Sequence, residues 1–250
     1  MKKISFLLLS LVFSFSVFSQ IVNVEKKRKN SNGFQATIGI DFNIKETGNR
    51  IFELKNNIDL QYAQNAHKII LLNSIKMLNV DNGSLINNGF QHLRYNYTVK
   101  DSSFLTFEAF VQHQYNEQKL LKKRFLAGVG PRFRLIQNST ISCFFAPLAM
   151  YEYEELSDKI NTETNLFRID SYTNISISLS KLVSFNNITY FQPNFNNFND
   201  YRISSETGLR FNINKHLAYS TSYAFDYDNL PPTEIQDTFW YFKNSLVLEF

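Results

Sequence analysis

Seven arginines and five carboxylates stand at alternate positions of segments that read as extended chain. Arg94, Arg124, Arg132, Arg134, Arg168, Arg202 and Arg210 supply the cations; Glu53, Asp59, Glu108, Asp170 and Glu206 supply the anions. A surface that carries guanidinium and carboxylate groups together can do one of two things. It can line a water-filled passage and select solutes by charge, or it can knit itself into ion pairs and fill a narrow interior. The residues expected to line such an interior are Arg94, Glu108, Arg132, Arg134, Arg168, Asp170, Glu206 and Arg210.

Other chemistry finds little footing. The four histidines, His67, His92, His113 and His216, have no metal-binding spacing such as His-Glu-x-x-His. His113 lies beside Gln112 and Gln114 near an expected outer rim, where a lipid- or glycolipid-acting enzyme would need it, but no Gly-x-Ser-x-Gly motif accompanies it. Gly128-Val129-Gly130 lacks the third glycine and the helix of a dinucleotide site, and reads as a close-packed strand position. Cys143 is the single cysteine, so no internal disulfide can form. No catalytic residue, cofactor or metal is implied, and an enzyme acting on lipid or glycolipid stands as the alternative to a structural or passive-transport role.

The elements that position these charges follow from a period of two, which gives a strand two distinct faces. Phe34, Ala36, Ile38, Ile40, Phe42 and Ile44 alternate with Gln35, Thr37, Gly39, Asp41 and Asn43. Phe125, Ala127, Val129, Phe133 and Leu135 alternate with Arg124, Gly128, Gly130, Arg132 and Arg134. At the carboxyl end Trp240, Phe242, Asn244, Leu246, Leu248 and Phe250 fall on one face. Twelve such segments are expected, with His67 to Leu78 and Val183 to Gln192 the least regular, so that ten or fourteen are the other readings. They run about 10–14 residues, whereas strands of soluble proteins average about 5–6. Charges on one face of so long a strand face water or one another, because at the bilayer midplane each costs about 2–4 kcal/mol. The inferred connections 45–50, 79–88, 116–123, 154–165, 193–200 and 228–236 are longer than those at 63–66, 100–103, 137–139, 181–182 and 214–215. Short periplasmic turns, longer outer loops and an even strand number are the pattern of an outer-membrane barrel.

The termini agree with that placement. Lys2 and Lys3 precede an apolar run from Ile4 to Phe18, and Val17-Phe18-Ser19 offers a cleavage site before Gln20. This is the pattern of a secretory signal peptide at 1–19, and the run is shorter than the roughly 20 residues of a spanning helix. Residues 20–32 form a polar, basic lead-in, and 33–250 the barrel. A mean hydropathy of −0.25 with 16% aromatics suits strands that are half lipid-facing and half polar. The formal net charge of +4 includes Lys2 and Lys3, whose loss leaves +2, too little to argue for nucleic acid.

Several stretches resemble the domain of unknown function 481 family, whose members are described as salt-induced outer-membrane proteins. They are Asn87–Tyr97, Arg124–Leu135, Met150–Glu155 and Arg168–Leu179, within a resemblance that spans the chain from about Phe34 onward. The resemblance implies an outer-membrane barrel and brings no substrate, cofactor or catalytic residue. The expectation is therefore an all-β protein: a single antiparallel transmembrane β-barrel of about 12 strands in the outer membrane of a diderm bacterium. Its partners would be outer-membrane lipid and the barrel-assembly machinery, which would read the C-terminal strand ending at Phe250. It is expected to be a monomer.

Overall fold

The computed structural model describes residues 32–46, 50–81, 83–99, 104–214, 216–231 and 235–248. The expected signal peptide, the lead-in apart from Asn32, and Phe250 lie outside the described residues.

Twelve strands account for nearly all of the described chain: β1 Gly33–Glu46, β2 Arg50–Gln64, β3 His67–Val80, β4 Gly83–Thr98, β5 Leu105–Asn116, β6 Leu121–Gln137, β7 Ile141–Leu156, β8 Glu163–Ser178, β9 Val183–Asn194, β10 Asn197–Asn212, β11 Leu217–Asp228 and β12 Thr238–Leu248. They form one sheet in sequence order, each strand antiparallel to its neighbours. A short 3₁₀ turn, Glu117–Lys119, joins β5 to β6. The two least regular segments, His67 to Leu78 and Val183 to Gln192, are β3 and β9, each two residues longer than the sequence suggests.

Connection lengths differ from expectation. Most of 79–88 and 193–200 continues as strand: β3 runs to Val80 and β4 starts at Gly83, and only the two-residue turn Phe195–Asn196 separates β9 from β10. Register shifts at Leu78/Asn79 and at Asn197/Tyr201 absorb the irregular sequence while the backbone keeps pairing. Asp81 takes a left-handed conformation (φ 53°), and its Oδ1 accepts the Arg50 amide at 2.8 Å. Conversely, β4 ends at Thr98 and β5 begins at Leu105, a wider separation than the short 100–103 turn expected there. The contrast in connection length between the two ends is thus smaller than the sequence spacing suggests.

The two sheet faces are inside-out relative to a soluble protein. Phe125, Val129 and Trp240 are 48%, 59% and 66% exposed, while Arg124 and Glu152 are 0% exposed. Within the polar interior sits an apolar layer of Phe110, Leu126, Ala146, Leu148, Met150, Tyr172, Ile188 and Tyr190, with a smaller apolar cluster at Ile70, Leu72 and Phe90. Gly128 and Gly130 make room for the layer. A Cβ on Gly128 would lie 2.4 Å from the Phe110 ring, and one on Gly130 would lie 2.5 Å from the Pro147 carbonyl oxygen. The glycines expected as close-packed strand positions are that.

β1 and β12 are the first and last strands of the sheet, and no ladder joins them among the described residues. The sequence places the last strand beside the first, closing the barrel. Here β1 is exposed along almost its whole length on both faces, so its inner side chains lie apart from the packed interior that β4 to β11 share.

Candidate functional site

The end of the sheet that carries the β5–β6, β7–β8, β9–β10 and β11–β12 connections is spanned by ion pairs. β7 projects Leu148, Met150, Glu152 and Glu154 inward by strand alternation. Glu152 receives three guanidinium groups. Arg124 on β6 donates through Nε at 2.9 Å and also through Nη2; Arg168 on β8 donates through Nε at 3.0 Å; Arg202 on β10 donates through Nη1 at 3.0 Å to each oxygen. Arg202 also reaches Glu154 through Nη2 at 3.2 Å and Asp228 through Nε at 2.7 Å. Arg168 Nη2 lies 3.0 Å from Asp200. Lys119, in the turn before β6, folds inward between the Phe239 ring, 4.2 Å from its centroid, and Asp226 at 3.8 Å. Burial pushes that ammonium below the usual lysine range.

Beyond the apolar layer lies a second cluster nearer the other end. Glu108 accepts from the Tyr172 hydroxyl at 2.6 Å and from Asn96 Nδ2 at 2.5 Å, with Arg94 Nη1 at 3.5 Å and Arg132 Nε at 3.7 Å. Arg94 stands over the Phe110 and Tyr172 rings at 5.6 and 5.8 Å, and Arg132 over Phe144 at 3.6 Å. His92 is buried between the Phe90 and Phe110 rings, its Nδ1 2.9 Å from Gln112 Oε1. The interior is therefore tiered: an ionic lid, an apolar layer and a second ionic cluster. In the lid both Glu152 oxygens are taken up by guanidinium donors, which suits a fixed tie rather than proton transfer.

The sequence-derived residues divide. Arg94, Glu108 and Arg132 come together around the Glu108 carboxylate. Arg168 joins the lid. Asp170 is buried but pairs with Gln192, whose Nε2 donates at 2.7 Å. Arg134 is half-buried on β6 and joins neither cluster. Glu206 and Arg210 are half-buried on β10, and Arg210 Nε donates to Asn212 at 2.9 Å. Sequence reasoning missed Glu152 and Glu154, the centre of the lid. The run Leu148-Ala149-Met150-Tyr151-Glu152-Tyr153-Glu154 carried the signal, since period two puts both glutamates with Leu148 and Met150. It also missed Lys119, Asp200 and Asp228, which it assigned to loops.

On the inner wall of β1 and β2 the charges are more open. Lys55 Nζ lies 2.6 Å from Glu53, and Asn43 donates to the same carboxylate at 3.4 Å. Of the other histidines, His113 points outward, its ring 4.6 Å from Phe125 and its Nδ1 2.7 Å from Gln91 Oε1.

No curated protein matches the chain. Among solved structures it is similar to the NanC porin, at 8% identity with a TM-score of 0.49, covering 86% of this chain and 100% of that one. It is also similar to a bacterial polysaccharide outer membrane secretin, at 10% identity with a TM-score of 0.47, covering 87% of this chain and 91% of that one. The family profile described as "Protein of unknown function, DUF481" matches residues 34–250, nearly the whole described sheet, and the chain belongs to that family.

Proposed function

We propose that this protein is an integral outer-membrane β-barrel, exported by its signal peptide, whose interior is closed by the Glu152-centred lid. The observation that carries this reading is the inversion of polarity: Arg124 and Glu152 are fully buried while the opposite face offers Phe125, Val129 and Trp240. Charged groups need the interior and apolar groups need lipid, because a lipid-facing charge costs about 2–4 kcal/mol at the midplane. With both termini in the periplasm, the lid lies beneath the outer loops. The role is then structural, a barrel with no freely open lumen, and the assembly machinery would engage β12. Recovery in the outer-membrane fraction and heat-modifiable migration on gels are expected. Recovery as a soluble periplasmic protein would overturn the reading.

One observation favours a second reading. Asp41 is exposed on the inner face of β1, and Glu53, Lys55 and Asp59 are half-exposed on that of β2, away from the lid. A narrow polar path along this wall would pass small solutes.

A further inference from the structure

The outer face of β2 to β5 carries a chain of hydrogen-bonded polar side chains in the middle of an apolar field. Asn73 Nδ2 donates to Asn56 Oδ1 at 2.6 Å, Gln91 Nε2 donates to Asn73 Oδ1 at 3.2 Å, and His113 Nδ1 lies 2.7 Å from Gln91 Oε1. The register sets Asn73 opposite Gln91 and Gln91 opposite His113. The adjacent outward row is Leu60, Leu71, Leu93 and Val111, paired in the same way. On the other side Leu54 pairs with Met77.

If this face lies in lipid, which rests on the membrane reading above, the ladder is out of place. Its internal bonds leave both amide hydrogens of Asn56, and one each on Asn73 and Gln91, without a partner among the described residues. Hydrocarbon supplies none, and polar side chains in membranes are accordingly found hydrogen-bonded across protein contacts. The patch holds no carboxylate, lysine or arginine, so it does not ask for an oppositely charged partner. A side-chain amide both donates and accepts, so one ladder satisfies a second copy of itself across a twofold axis, as an isologous contact requires. The outward polar group on β9 and β10 differs: Asn187, Thr189, Ser205 and Thr207 bond among themselves, mostly as hydroxyls.

We infer that the outer face of β2 to β5 is the contact surface of a homodimer in the membrane, with Asn73 and Gln91 at its centre. This departs from the monomer expected from the sequence. The test is single-molecule photobleaching of the full-length protein in lipid vesicles at low density, with cysteine crosslinking in a Cys143→Ser background. Two-step bleaching is expected for the native protein, with crosslinked dimers from Leu93→Cys and none from Ile203→Cys. Asn73→Leu with Gln91→Leu is expected to weaken association by about tenfold or more, and Thr189→Val with Ser205→Ala to leave it unchanged. One-step bleaching of native protein that migrates as a folded barrel overturns the dimer and leaves the barrel standing. Dimers that survive Asn73→Leu with Gln91→Leu, or crosslink through Ile203→Cys, overturn it too. Should that double variant not fold, the two crosslinking positions decide the matter alone.

Discussion

Arg202 on β10 reaches across the interior to Glu152 on β7, its Nη1 3.0 Å from each carboxylate oxygen. β8 and β9 lie between these strands in the sheet, so the contact crosses the lumen instead of following a ladder. Removing one partner of a fully buried pair leaves a charge without compensation, at a cost of about 3–5 kcal/mol. Glu152→Gln and Arg202→Ala are each expected to lower stability by that order in urea unfolding from lipid vesicles, read by heat-modifiable migration. Glu154→Gln should cost less, because its arginine contacts are longer, at 3.2 to 3.4 Å. Equal, negligible effects for all three would show that the lid does not hold the barrel together.

The apolar layer predicts an asymmetry between neighbouring glycines. At Gly130 an added Cβ meets backbone, the Pro147 carbonyl oxygen at 2.5 Å and the Leu148 Cα at 2.8 Å, whereas at Gly128 it meets the tip of the Phe110 ring. A ring can turn and a paired strand cannot. Gly130→Ala should therefore destabilise by about 1–3 kcal/mol, and Gly128→Ala by less, in the same unfolding measurement.

The second cluster can be probed through one oxygen atom. Tyr172→Phe removes the hydroxyl that donates to Glu108 at 2.6 Å and leaves the ring packing intact. A hydrogen bond to a buried carboxylate contributes about 1.5–3 kcal/mol, and a loss of that size is expected. A neutral result would mean that Asn96, Arg94 and Arg132 satisfy Glu108 without it.

In the β7–β8 connection, Asp158 accepts the Thr162 amide at 2.8 Å and the Thr162 hydroxyl at 2.5 Å, which holds its carboxyl below the usual carboxylate range. A lowered folded pKa makes the contribution full above the unfolded value near 3.8 and lost as pH falls through the folded one. Hydrogen-exchange protection of the Thr162 amide, corrected for its intrinsic pH dependence, should hold from neutral pH down past 3.8 and be lost only as pH falls through the lower folded value. Asp158→Ala should remove the protection at every pH.

Much of this architecture was legible in the sequence because period two is a local property. The alternation around Phe125 and Arg124 located an outer and an inner face without reference to any partner strand, and β3 and β9 emerged despite their weak pattern. What local pattern cannot supply is which inner charges meet. Arg202 and Glu152 are fifty positions apart, and their contact depends on curvature bringing β7 and β10 together. Glu152 also sits among Tyr151 and Tyr153, and the aromatic character of that stretch masked its alternation. Asp200 and Asp228 were hidden for another reason: asparagine- and aspartate-rich segments read as loops, yet their backbones continue the ladders to the sheet edge.

A Glu152-centred lid that seals the interior, as proposed, would block ion flow, and planar-bilayer recording of the purified protein reads that flow. The sealed reading predicts no stable open-channel current from the native protein and the appearance of channel events when Arg124, Glu152 and Arg202 are together replaced by glycine. A steady, ion-selective conductance from the native protein would contradict it and favour a solute path along the β1–β2 wall.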